Sequence, residues 1–239
     1  MEPVKDVQRV YGGQTAAERA AERRAALVDA AFAEVAAKGW RALRIETVCR
    51  AAGLNKRYFY EAFADLDALV GAVTAKVADD AIAVTLAALP DTTDQRRLVR
   101  AGVAAFVVHL TDDPRRARVL FGAVAADDAA SGHRAEAIRR VIATAAMEGR
   151  ELHRLGDDPI VELTAAMLVG GSSQALLDWL DGRLDYSREE LIEHLAALWL
   201  SLGDAAAARH RGAQDGPARE ARARTSGLSG GRGPSRRRS

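Results

Sequence analysis

The sequence predicts an all-α fold in which a three-helix N-terminal unit precedes a larger helical body, about nine helices in total. Three observations carry that expectation. Hydrophobic residues make up 49% of the chain but aromatic residues only 5%, so the apolar share is mostly Ala, Leu and Val, and helix formers outweigh the residues that strands favour. Apolar positions recur at helical spacing. Cap residues, glycines and prolines cut the chain into nine such stretches.

The first helix opens at Thr15, where Glu18 three residues on completes a capping box: hydroxyl and carboxylate satisfy backbone N–H groups that a first turn leaves unpaired. Leu27, Val28, Ala31, Phe32 and Val35 form its apolar stripe, and Gly39 ends it after Lys38. Two short apolar segments, 45–52 and 56–63, follow on either side of Gly53. Neither is long enough to be stable alone, so both need the first helix as a third wall. From Asp65 the stripe Leu66, Leu69, Val70, Val73 and Val77 predicts a long helix over 65–89, stopped by Pro90. Thr92 with Gln95 opens the next, 92–111. Asp113 before Pro114 and Asp158 before Pro159 are caps followed by proline at the first helical position, starting helices over 114–126 and 159–181. Between them lies 133–155, with Ser131-Gly132-His133 read as a loop. Ser187 with Glu190 starts 188–204. The remaining residues, 205–239, are Ala, Arg, Gly, Ser and Pro with hardly a large apolar side chain, which predicts a basic tail, disordered from about residue 209.

Composition narrows the function classes. The single cysteine, Cys49, allows neither an intrachain disulfide framework nor a multi-cysteine zinc site. No signal-peptide-like run opens the sequence and charges interrupt it before about 18 apolar residues accumulate, so the expected location is the cytoplasm, with no membrane partner. The net charge of +1 hides a division: residues 1–63 carry 11 basic and 8 acidic side chains, residues 64–204 carry 14 and 23, and residues 205–239 carry 9 and 2. The middle is a poor polyanion binder, whereas either end suits phosphate. No GxSxG elbow, phosphate-cradling glycine loop or HExxH pair is present. The chain therefore reads as a binding protein and not an enzyme, with no metal site and no cofactor; the pair Glu190 and His194 alone makes a poor metal site.

The chemistry concentrates in residues 39–63. Ile45, Val48, Cys49 and Ala52 give a buried face to the first short helix, Gly53 suits a turn at positive φ, Asn55 caps the second, and Phe59 and Phe63 anchor that helix from one side. Lys56, Arg57, Tyr58, Tyr60 and Glu61 must then point elsewhere. Cations and phenols in the first turns of such a helix match base edges and phosphates in a DNA major groove. Arg57 with Lys56 or Tyr58 is assigned to base edges and Tyr60 to the backbone.

This stretch resembles the DNA-binding domain of the TetR family of bacterial regulators, through Gly39-Trp40, Val48, Ala52-Gly53, Asn55, Phe59-Tyr60 and Phe63. The resemblance covers about 50 residues and implies a helix-turn-helix domain over 15–64, its motif at about 44–63, followed by a ligand-binding and dimerisation domain over 65–204. Three positions depart from the pattern. Arg44 stands where a small polar residue often opens the motif, and Ala62 and Leu66 replace side chains that usually touch phosphate. Either backbone binding then falls more to Arg44, Thr47, Lys56 and Arg57, or the affinity for DNA is modest.

The resemblance further implies a transcriptional repressor, double-stranded palindromic DNA as partner, a small apolar or amphipathic effector that releases it, and a homodimer built on the last two helices. Those helices are apolar over a wide arc, from Leu163, Met167, Leu168, Leu176, Leu177, Trp179 and Leu180 to Leu191, Leu195, Leu198, Trp199 and Leu202. Activation fits the sequence equally well. For the effector pocket the expectation is Ala, Val, Leu and Met without a charged group, with His109, beside Phe106 and Val107, the histidine to test. The N-terminal Tyr11-Gly12-Gly13 with Arg19, Arg23 and Arg24 reads either as a solvated arm and helix face or as elements that graze DNA. Two rivals remain: a helical carrier or enzyme with a degenerate DNA-binding head, and an adaptor that docks acidic partners through its basic tail.

Overall fold

The computed structural model describes residues 15–122 and 130–227, with side chains to residue 213. Tyr11-Gly12-Gly13, the end expected for the helix over 114–126, and the last part of the basic tail lie outside the described residues. Within them all regular structure is helical: α1 Ala16–Lys38, a 3-10 turn Trp40–Ala42, α2 Ile45–Ala51, α3 Lys56–Ala62, α4 Leu66–Ala87, α5 Gln95–Asp112, α6 Pro114–Phe121, α7 Ala130–His153, α8 Ile160–Leu180 and α9 Arg188–Gly227.

The starts follow the local chemistry. Thr15 and Glu18 exchange both capping-box hydrogen bonds, 2.6 and 3.1 Å, and Ser187 and Glu190 repeat them at 2.8 and 3.1 Å. Asn55, Asp65 and Asp113 each accept a first-turn N–H. Asp158 accepts from Ile160 N–H at 3.0 Å, with Pro159 already at helical angles. Gly39 and Gly53 take φ of +78° and +66°, where a Cβ would be strained.

Three elements differ from expectation. Asp94, not Thr92, caps α5, because its carboxylate takes the N–H groups of Arg96 and Arg97 while the Thr92 hydroxyl accepts from Asp94 N–H. Ser131-Gly132-His133 is not a loop: it lies inside α7, whose first turns are tied down when Arg134 Nε donates to the Leu120 carbonyl. The chain beyond residue 204 continues α9 to Gly227. Extending an existing helix costs far less than nucleating one, alanine is the best helix former, and Ala206 and Ala207 are buried while His210 Nδ1 meets Asp158 at 2.6 Å.

The α1–α3 unit closes around Leu27, Ala31, Val48, Phe59 and Leu69, and the same apolar cluster runs on through Val73 and Val77 of α4 to Leu120, Val141 and Val169. α4 thus belongs to both parts: its first half packs on α1 and its length on α5 and α7. The α1–α3 unit and the later helices thus share one core, joined through α4.

Candidate nucleic-acid interface and cavity

A seven-residue helix is oriented by its large side chains. Phe59 is fully buried, Phe63 nearly so, and their rings sit 5.8 Å apart; burying a phenylalanine stabilises by about 1.5–3 kcal/mol, enough to fix the rotation of α3. The opposite face is turned out. Arg57 leaves 82% of its side chain exposed and Tyr60 is 58% exposed, its ring edge-on to Phe59 at 5.3 Å. Lys56 is exposed as well. Tyr58 is half-buried, because the Arg23 guanidinium of α1 lies 4.7 Å over its ring.

Each outward cation meets a carboxylate. Lys56 pairs with Glu46 at the start of α2, which holds the Glu46 carboxyl below and the Lys56 ammonium above their ordinary values. Arg57 Nε donates to Glu61 at 2.9 Å, and Arg23 approaches the same carboxylate at 4.0 Å. The arrangement draws the first turns of α2 and α3 together. Arg44 and Thr47 meet at the mouth of α2: the Arg44 guanidinium donates to the carbonyls of Arg41 and Leu43 at 2.7 and 2.8 Å, and the Thr47 hydroxyl donates to the Arg44 carbonyl at 2.8 Å. Ala62 and Leu66 pack on the core, so neither presents a group to phosphate. Sequence reasoning missed Glu46 as a partner, since Lys56 reaches it across the turn; the i,i+4 spacing of Arg57 and Glu61 could have revealed the second pair.

In the body, α4, α5, α7, α8 and α9 enclose a cavity of about 900 Å³. Leu86, Val103, Phe106, Leu168 and Trp199 represent its mainly apolar wall. Two expectations are corrected here. His109 is not among the lining residues; its Nε2 is buried without a partner, and burial first, then Arg116, lowers the imidazole pKa. His153 lines the cavity instead, its Nε2 2.6 Å from where a Cβ on Gly203 would stand. Nor is the wall free of ionisable groups: Glu148 joins His153 inside, and Glu151, Arg154, Asp204 and Arg211 stand at exposed positions. No methionine lines it; Met147 and Met167 face outward. Among the described residues no group of three His, Cys, Asp or Glu is placed to hold a metal ion.

The wide apolar arc of the last helices divides in two. Leu168, Leu176, Leu191 and Leu195 are buried within the chain, whereas Leu163, Met167, Leu198 and Leu202 remain exposed. Gly170 and Gly171 lie open beside them. By length and composition α8 and residues 188–213 of α9 could each cross a membrane, yet one face of each is committed to the chain's own core.

The sequence profile of the bacterial regulatory proteins of the tetR family matches residues 27–73. No curated protein sequence matches the chain. Among solved structures, the chain is similar to a tetR-family transcriptional regulator from Streptomyces coelicolor, with TM-score 0.65 and 19% identity over 87% of this chain and 98% of that one. It is similar to the fatty acid degradation regulator FadR from Bacillus halodurans, with TM-score 0.62 and 16% identity over 74% and 94%. A TetR-like transcriptional regulator from Rhodococcus sp. RHA1 gives 0.56 and 18% over 74% and 93%. At these identities the likeness establishes a shared fold.

Proposed function

We propose that this chain, whose head matches the tetR-family profile over residues 27–73, is a TetR-type DNA-binding transcriptional regulator, a dimeric repressor released from palindromic DNA by a small apolar or amphipathic effector. The observation that carries the reading is the outward face of α3: Lys56, Arg57 and Tyr60 stand exposed on a helix locked by Phe59 and Phe63. Residues 15–64 serve as the DNA-binding domain, with Arg57 and Lys56 at base edges, Tyr60 and Tyr58 at the backbone, Asn55 fixing the helix start, and Arg44 and Thr47 at flanking phosphate. Residues 65–204 bind effector and partner, and the chain works in the cytoplasm without a catalytic step.

Two molecules meet through α8 and α9. The exposed Leu163, Met167, Leu198 and Leu202 give a self-complementary apolar face, and two-fold symmetry matches a palindrome. Coupling runs through α4, since Ile82, Thr85, Leu86 and Leu89 at or after its second half line the cavity while Leu69 and Val70 hold the head. An effector that prefers another tilt of α4 shifts the population away from the DNA-matching spacing.

Selection of bound DNA from a random pool tests the reading. A palindromic consensus, bound with steep salt dependence, supports it; no sequence preference favours a carrier with a degenerate head, for which the inward packing of Ala62 and Leu66 is the best support. A Met167→Asp, Leu198→Asp double variant is expected to sediment as a monomer and lose the palindrome; a variant that remains dimeric removes α8 and α9 from the interface.

A further inference from the structure

The centre of the wall that α7 presents to the cavity is one helical stripe, Val141, Thr144, Ala145, Glu148, Gly149 and Leu152, spaced three and four apart as residues on one face must be, with Glu151 and His153 at its C-terminal edge. Helix phase therefore turns a carboxylate into a mostly apolar row, in which the one other polar side chain, Thr144, spends its hydroxyl on the Arg140 carbonyl. No hydrogen bond or ion pair joins Glu148 to another described residue. The neighbouring cation is spent elsewhere, since Arg150 donates to the Gly156 carbonyl and pairs with Glu162. Glu151, Arg154, Asp204 and Arg211 are exposed, where water and salt screen them. The other half-buried ionisable group, His153, is held toward its neutral form, because burial lowers its pKa. Among the charged groups that line the cavity, Glu148 is thus the one withdrawn from water.

Resting on the reading of this cavity as the effector site, we propose that it takes a lipophilic monocation, a hydrophobic molecule with one protonated amine, whose nitrogen pairs with Glu148. A lone carboxylate in apolar surroundings is costly, and burial, with Glu151 second, already pushes the Glu148 carboxyl above its ordinary range. A cation placed beside it removes that cost and gains a charge-assisted hydrogen bond. A carboxylate ligand in the same place would meet like charge. The volume of about 900 Å³ suits a drug-sized guest, near the upper end of the usual range.

The test uses the full-length chain and the neutral dye Nile red, displaced by decylamine, decanol or decanoate, with Glu148→Gln as the isosteric variant. Decylamine is expected to displace the dye from the wild-type protein at concentrations about tenfold or more below decanol, and Glu148→Gln to abolish that preference while leaving decanol unchanged. Decanoate as the best competitor, equal potency of amine and alcohol, or an amine preference that survives in Glu148→Gln each overturns the assignment alone. Nile red that enters neither protein overturns the cavity as a ligand site, and this assignment with it.

Discussion

The reading face of α3 and the cavity face of α7 both carry charge, under opposite conditions. On α3, two phenylalanines turn the cations into water, and Glu46 and Glu61 answer them across gaps open to solvent. On α7, the helix phase turns Glu148 inward, where nothing answers it. Exposed pairs are worth little to stability, so the first set is free to exchange partners when a phosphate arrives. The inward carboxylate has no such freedom, and in the proposal above its surroundings select the guest. On the proposed function, a surface that reads by swapping ions and a cavity that reads by lacking one are distinct devices in one chain.

The largest expected effect comes from breaking the support of the first device. Phe59→Ala should cost about 3–5 kcal/mol in urea unfolding and abolish DNA binding, because Phe63 is then the one ring left to hold the outward face outward; unchanged stability would separate the face from its anchor. Next, Arg57→Ala should weaken binding to selected DNA by about 1–3 kcal/mol. Glu61→Gln should do the reverse, freeing Arg57 and Arg23, tightening the complex and steepening its salt dependence, as fluorescence anisotropy over a salt series would report. If Glu61→Gln weakens the complex instead, Glu61 touches DNA itself.

Smaller still, Asn55→Ala should lose about 1 kcal/mol, since the Tyr58 N–H is left without its acceptor. His109 gives the smallest effect and a pH signature. An imidazole whose native pKa is lowered, here by burial and then Arg116, binds fewer protons folded than unfolded. Its share of stability is therefore present above about pH 6.5 and is lost as pH falls from there through the native value. His109→Leu should remove both the unpartnered nitrogen and its share of that dependence, making the fall of the urea midpoint from pH 7.5 to 5.5 shallower, with the share of His153, whose pKa burial also lowers, left in place.

The two devices were unequally legible in the sequence. The head could be read because its determinants are local: caps act three residues away, as at Thr15 and Glu18 or Asn55 and Tyr58, and a Phe pair four apart settles which side of α3 faces out. The cavity draws its wall from five helices, and the phase of each is set by partners distant in sequence. His109 and His153 look alike as lone histidines on helices, and only the packed positions of α5 and α7 show which one reaches the cavity. Glu148 was hidden in the same way, among charged neighbours that do face water. The serine and glycine before His133 signalled a loop by composition, but contact with α4 and α6 overrides so weak a local preference. The course of α9 beyond residue 204 was obscured because low apolar content argues against a free helix and says little about one already nucleated.

α4 has a mechanical property that follows from where it is pinned. Its 22 residues make a rod about 33 Å long, and Arg140 of α7 grips it at Asp79 and at the Ala75 carbonyl, close to mid-length. A rotation about that grip would displace the two ends by similar amounts in opposite senses, as in a balanced lever. In the proposed coupling, a guest that pushed one tip outward by an ångström would swing the other inward by about as much, without amplification.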